Sequence, residues 1–292
     1  MKTVLAAALA ALVVLPGSSA ALAQAERRCK TLMLGDSVTK GGMAPAVEAP
    51  LNELTRGRGA WTLVNAGVGG ETAEGGKARL AALLDAEKPD VLTVSYGLND
   101  LAHGHTPEQF RANMLAILDI AARHDPAPRV ILLTATPFVD ERHSLGRRRH
   151  LVDRGGPDRV LEVTLNAVTR RLAAEKNLPL LDLHRQFMTD AEWKGHIRAD
   201  GVHLTAKGYA FCGKYLAGAL AAWHDAEVAR DPKAGEVRDA QTERLAKLAD
   251  AAKEAATAAA RERILAGLNE LWRACPWLPA QAILWHTLRY AE

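Results

Sequence analysis

Residues 31–37 read Thr31-Leu32-Met33-Leu34-Gly35-Asp36-Ser37. A short, mostly apolar run enters Gly-Asp-Ser directly, and a helix-compatible segment follows. Glycine and serine mark a sharp turn, so the run reads as a buried strand that presents the Ser37 hydroxyl at its C-terminal edge. Gly-Asp-Ser alone is an ordinary turn tripeptide, because Asp and Ser side chains bond nearby backbone groups. Its importance depends on what the other loops bring to the same edge.

Downstream, strand and helix patterns alternate. Trp61-Thr62-Leu63-Val64-Asn65 is a second strand, closed by Gly67-Val68-Gly69-Gly70. Asp90-Val91-Leu92-Thr93-Val94-Ser95-Tyr96 is a third, rich in β-formers and ending at Gly97-Leu98-Asn99-Asp100. Residues 129–134 and 178–182 supply a fourth and a fifth. Between them lie helical segments. The first, over residues 45–54, is broken at Pro50; the next, over 71–88, carries Leu80, Leu83 and Leu84. A third opens at Thr106-Pro107 and buries Phe110, Met114, Ile117, Leu118 and Ala121. Residues 157–176 carry Val160, Val163, Leu165, Val168 and Leu172, and residues 205–222 close the domain. This alternation predicts a three-layer α/β/α sandwich with a five-stranded parallel sheet of flavodoxin-like order 2-1-3-4-5. In such sheets ligands sit beyond the carboxyl ends of the strands, where the winding reverses.

The chain has 292 residues, 48% hydrophobic and 24% charged, with net charge +3. That suits one sizeable core and gives no reason to expect nucleic acid or an anionic membrane as partner. No basic stripe with interleaved aromatics is present. Lys2 followed by an Ala/Val/Leu run over 4–15 and by Ala21-Leu22-Ala23 reads as an export signal, cleaved after Ala23 or, as second choice, Ala25. The run is too short to span a bilayer comfortably, so no stable membrane insertion is expected and the product is periplasmic or secreted. Glu26-Arg27-Arg28 before Cys29 does not resemble a lipid-attachment box. Three cysteines, Cys29, Cys212 and Cys275, exclude a disulfide scaffold and leave room for one bridge whose pairing the sequence does not give. Residues 27–225 form the expected domain. Residues 226–292 form a helical extension: a linker at 231–235, a long amphipathic helix over 236–273, then a more apolar one after Cys275-Pro276. A helical hairpin docked on its own domain and an oligomer or partner face both fit that pattern.

Four loops therefore leave the same sheet edge with polar equipment: Ser37, Gly70, Asn99, and Asp200 with His203. A serine hydroxyl needs a base within hydrogen-bond reach, and the base needs orienting. Imidazole as a side-chain type titrates near neutrality, which makes His203 the candidate for the first task; Asp200, three residues earlier, suits the second. The backbone N–H groups of Ser37 and Gly70 and the Asn99 side-chain amide would donate to a tetrahedral oxyanion. Glycine at 70 would let the backbone approach closely.

In these four blocks the chain resembles the SGNH (GDSL-type) hydrolases: Gly-Asp-Ser at 35–37, Asn-Ala-Gly-Val-Gly-Gly-Glu-Thr at 65–72, Gly-Leu-Asn-Asp at 97–100 and Asp-Gly-Val-His at 200–203. The resemblance covers roughly residues 30–224. It implies nucleophile Ser37, oxyanion donors Ser37, Gly70 and Asn99, the pair Asp200 and His203, and hydrolysis of esters or thioesters without a cofactor. Two departures stand out. Val38 replaces the family's Leu, and Gly69-Gly70-Glu71 stands where Ser-Gly-Asp is commoner, which leaves Gly69 as the alternative donor to Gly70. The expected substrate is a small-molecule or carbohydrate acyl ester, with carbohydrate de-O-acetylation first and lysophospholipase or thioesterase activity next. An O-acyltransferase and a non-catalytic binding module on the same fold are the readings from other classes. His103 and His105 border the expected pocket without the accompanying ligands of a metal site. The Arg147-Arg148-Arg149-His150 run reads as a solvated loop, with contact to an anionic or sugar substrate as the alternative.

Overall fold

The computed structural model describes residues 29–55 and 61–229. The expected leader, Cys275 and nearly all of the expected extension lie outside the described residues. In chain order, β1 (Cys29–Gly35) leads into α1 (Ser37–Lys40) and α2 (Met43–Thr55). β2 (Trp61–Gly67), α3 (Ala73–Glu87), β3 (Val91–Ser95), the short α4 (Leu98–Ala102), α5 (Pro107–Arg123) and β4 (Arg129–Leu133) follow. The polar loop after β4 contains a 3-10 turn, Ser144–Arg147, and α6 (Arg149–Val152). α7 (Pro157–Leu161) runs through a π turn, Glu162–Asn166, into α8 (Ala167–Glu175). β5 (Leu180–Leu181), α9 (Leu183–Met188), a second 3-10 turn at Trp193–His196 and α10 (Ala206–Ala229) complete the described residues.

The sheet has the order β2-β1-β3-β4-β5, and every pairing is parallel, as the sequence predicts. β1 lies between β2 and β3, so Leu32, Met33 and Leu34 are fully buried. A strand covered on both faces reads as a continuous apolar run, which is why 31–34 shows no alternation. α2 packs on α10, and α3 on α5, with α8 beside α5. The register makes Gly35 the partner of both Gly67 and Ser95. Three strands thus end level, and their loops leave from one line.

Several boundaries differ from the sequence expectation. α2 is unbroken through Pro50. Proline removes the donor that the Ala46 carbonyl would use, but Met43, Val47 and Leu51 are buried along the helix, and that packing outweighs one lost bond. β5 shrinks to two residues. The helix expected over 157–176 contains the π turn, and its wider winding shifts the helical phase, so Val163 is 53% exposed rather than on the buried stripe. α5 matches its expected stripe residue for residue, and Thr106 and Gln109 form a reciprocal capping box at its start.

The π turn delivers Asn166, fully buried, to the end of β4. Its Oδ1 accepts from Ala135 N at 2.9 Å, and its Nδ2 donates to Ala135 O at 3.2 Å. Asn166→Ala strands both Ala135 groups away from water. It is expected to cost about 1–3 kcal/mol in urea denaturation. An unchanged midpoint would show that water replaces the amide.

Candidate active site

Ser37 opens α1, directly beyond the end of β1. The helix is four residues long and is fixed at both ends by side chains. At its start, Asp36 Oδ1 accepts from Val38 N at 2.9 Å. At its end, Asn65 Nδ2 donates to Thr39 O (3.0 Å) and Lys40 O (3.2 Å), while Asn65 Oδ1 accepts from Gly67 N (3.0 Å). The nucleophile candidate is therefore held by the first two sequence blocks together. Its N–H belongs to the first turn and has no partner within the helix.

His203 Nε2 lies 2.9 Å from Ser37 Oγ. Its Nδ1 lies 3.0 Å from Asp200 Oδ2. Asp200 Oδ1 accepts from Val202 N (3.0 Å) and His203 N (2.9 Å). Burial pushes the Asp200 carboxyl up, but these two N–H groups and the His203 ring outweigh it and hold it below the ordinary carboxylate range. An ionised carboxylate only accepts, so Nδ1 carries the imidazole proton and Nε2 is left to accept from Ser37. The loop is braced from behind. Arg198 N donates to His203 O (2.7 Å), and Val139 N, beyond β4, donates to Gly201 O (2.8 Å). Arg142 Nη1 donates to Lys194 O (3.0 Å) and Ile197 O (3.1 Å).

Gly70 sits in a turn closed by Glu71 N donating to Val68 O at 3.2 Å. Its φ is +77°, the conformation that the third residue of a type II turn requires. A Cβ built there meets nothing within 4 Å. The positive φ gives glycine at 70 a conformational reason of its own. Gly69 does not share this positive φ. Asn99, in the first turn of α4, donates Nδ2 to Glu71 O at 3.1 Å. One amide hydrogen is thereby used, and the other remains. Beneath it, Asp100 is fully buried and accepts from Ala73 N at 3.1 and 3.3 Å, with His105 Nδ1 at 3.1 Å. Burial raises its pKa against the pull of His105.

The structure thus joins Ser37, His203 and Asp200 in one hydrogen-bonded line and links Asn99 to the Gly70 turn through Glu71. His103 binds its own helix through Nδ1 to Asn99 O at 2.7 Å. Among the described residues no group of three or more His, Cys, Asp or Glu is placed to hold a metal ion. Arg148 Nη1 donates to Ala102 O at 2.8 Å, and Arg149 pairs with Asp153 at 3.7 Å. Sequence reasoning missed Asn65, Arg79, Tyr96 and His143 as neighbours of the site. His143 accepts from Leu145 N at 3.2 Å, and its pKa is lowered, chiefly by burial. Asn65 carried a direct signal, as the first residue of the second block.

The GDSL-like lipase/acylhydrolase family model matches residues 33–211. Thioesterase 1/protease 1/lysophospholipase L1 of Escherichia coli is 30% identical over 192 residues, covering 64% of this chain and 80% of that protein. An uncharacterized lipoprotein of Bacillus subtilis is 28% identical over 189 residues, 59% of this chain and 73% of its own length. Among solved structures, a lipase/acylhydrolase from Enterococcus faecalis aligns with TM-score 0.55 and 26% identity, covering 66% of this chain and 95% of that one.

Asp36 yields a pH prediction. Burial pushes its pKa up from 3.8 to about 7, against the Val38 N–H, with Asp100 adding to the rise and His203 opposing it. Between 3.8 and about 7 the native state holds a proton that the unfolded chain releases, so this group's contribution to stability falls as pH rises through that window. Asp36→Asn keeps an oxygen for Val38 N–H. Its stability should decline less than wild type across the window, measured by urea denaturation at several pH values. Equal slopes would show that Asp36 does not titrate there.

Proposed function

The chain belongs to the GDSL-like lipase/acylhydrolase family, and on that premise we propose that it is an exported serine esterase working through an acyl-enzyme. One observation carries this reading: the line from Ser37 Oγ through His203 to Asp200, with contacts of 2.9 and 3.0 Å. Ser37 Oγ attacks the ester carbonyl carbon as its proton passes to His203 Nε2. Asp200 holds the Nδ1 proton and stabilises the imidazolium. The oxyanion is received by the Ser37 and Gly70 N–H groups and by the free Asn99 amide hydrogen. As the C–O bond breaks, His203 returns the proton to the leaving alcohol. Water then repeats the sequence on the acyl-enzyme, releasing the acid and restoring Ser37.

The substrate we place first is a carbohydrate O-acetyl ester. The export signal expected over residues 1–23 and the small polar set of catalytic loops support it. A second reading, hydrolysis of acyl thioesters or lysophospholipids, is favoured by the Escherichia coli relative at 30% identity. No helix among the described residues is long and apolar enough to cross a membrane. Residues 27–225 act as the catalytic domain in this proposal, with 226–292 as an appended segment.

Three outcomes are expected. Protein lacking residues 1–23 should hydrolyse p-nitrophenyl esters, with acetate preferred over palmitate, and folded Ser37→Ala should not. A preference for long chains would move the substrate to lipids or thioesters, and activity surviving in Ser37→Ala would remove the nucleophile. Asn99→Ala should lower kcat by roughly 10²–10³-fold if its amide meets the oxyanion. Exported material should begin after Ala23 by N-terminal sequencing, whereas a retained Met1 would refute cleavage.

A further inference from the structure

Glu71 is one of the two residues, with Gly69, by which the second block departs from the commoner family pattern, and nothing in the reaction above uses its side chain. That side chain is only 9% exposed, yet it carries three hydrogen bonds from two partners. Arg79 Nε donates to Oε1 at 2.7 Å and Arg79 Nη2 to Oε2 at 2.5 Å, while Tyr96 O–H donates to Oε2 at 2.6 Å. Arg79 Nη2 also donates to Ala66 O in β2 at 2.5 Å. The carboxylate is therefore tied to β2, to α3 and to the end of β3 at once.

Its backbone links two of the three oxyanion donors, Gly70 and Asn99. Glu71 N closes the turn that gives Gly70 its positive φ, and Glu71 O accepts the Asn99 amide. The sequence also makes room for the side chain. A Cβ at position 75 would lie 2.8 Å from Glu71 Cγ, and one at position 76 would fall on the Tyr96 hydroxyl. Each glycine inside a helix weakens it relative to alanine. Packing alone does not call for such an arrangement, because a largely buried ion pair adds little net stability over apolar side chains of the same volume. A turn that must aim an N–H and a carbonyl in fixed directions does need it.

We propose that Glu71, clamped by Arg79 and Tyr96, is a positioning residue that holds Gly70 and Asn99 in register with Ser37. The proposal rests on the serine mechanism above. Glu71 touches no reacting atom in it; its effect passes through the Gly70 N–H and the Asn99 amide. Losing the clamp should leave ground-state binding alone and weaken contacts made only as the oxyanion forms.

The test compares wild type, Glu71→Gln, Asn99→Ala and their double variant on the p-nitrophenyl ester that wild type turns over best. Active sites are counted by titration to completion with a fluorophosphonate, and kcat is expressed per titrated site. Glu71→Gln is expected to titrate fully, keep KM nearly unchanged and lose on the order of 10²-fold in kcat, the scale of a small misplacement of reacting groups. Adding Asn99→Ala to it should cost much less than in wild type, because the two act through one device. If Glu71→Gln keeps full kcat while Asn99→Ala is slow, the positioning role is refuted and the serine mechanism stands. If the kcat loss is matched by lost titratable sites, Glu71 is structural only and the proposal fails. If Asn99→Ala is itself fully active, the donor assignment falls and this proposal with it. Should Glu71→Gln not fold, Tyr96→Phe decides: it keeps the ring against Gly76 and removes one hydrogen bond. A lowered kcat per site at constant KM supports the clamp, and an unchanged kcat refutes it.

Discussion

The parallel register that pairs Gly35 with both Gly67 and Ser95 is the constraint on which the site depends. It sets three strand ends on one line and so fixes where Ser37, the 68–71 turn and Asn99 leave the sheet. Slipping either pairing by one residue would turn every side chain of that strand to the other face. Because β1 is covered on both faces, such a slip would exchange Leu32, Met33 and Leu34 between two packed layers and mismatch both, so the hydrophobic layers position the polar edge. The fourth contribution, Asp200 and His203, arrives from outside the sheet and is braced by hydrogen bonds from the β4 loop rather than by strand pairing.

Four carboxylates gather around this edge, and each is handled differently. Asp200 keeps its charge through two backbone donors and the imidazole. Glu71 faces a guanidinium and a phenol. Asp100 and Asp36 are buried, with backbone N–H groups as partners, and burial drives both toward the protonated form. One negative charge thus stands directly behind His203 while others nearby are damped. That arrangement sets one carboxylate against the imidazole without spreading negative potential over the place where an oxyanion would form.

The sequence showed the fold because its strands are short, apolar and bounded by turn formers, and because the flavodoxin-like order leaves few alternatives. Thr106-Pro107 placed α5, whose start is set by local chemistry. Where tertiary packing overrides local preference, the reading failed. Pro50 sits inside a helix held by Val47 and Leu51, and the π turn before Asn166 has no marker in residue type or period. The same division applies at the site. Ser37, Asn99, Asp200 and His203 lie in recognisable blocks, whereas Tyr96 and Arg79 belong to a strand end and a helix that look ordinary in isolation. Their joint purpose becomes visible only when β3 and α3 are brought together. The paired glycines at 75 and 76 were the available clue, since two glycines in a helix interior point to a close neighbour.

The side chains of His203 and Asp200 are 38% and 44% exposed. An acyl group on Ser37 would therefore stand beside a base already in contact with solvent. Whatever nucleophile next reaches that base, water included, competes on its concentration and its fit. Transfer to an alcohol, as opposed to hydrolysis, would require an acceptor that binds well enough to exclude water from the histidine. In the proposed mechanism the open flank would thus set the terms on which an acyl group leaves, whichever ester delivered it.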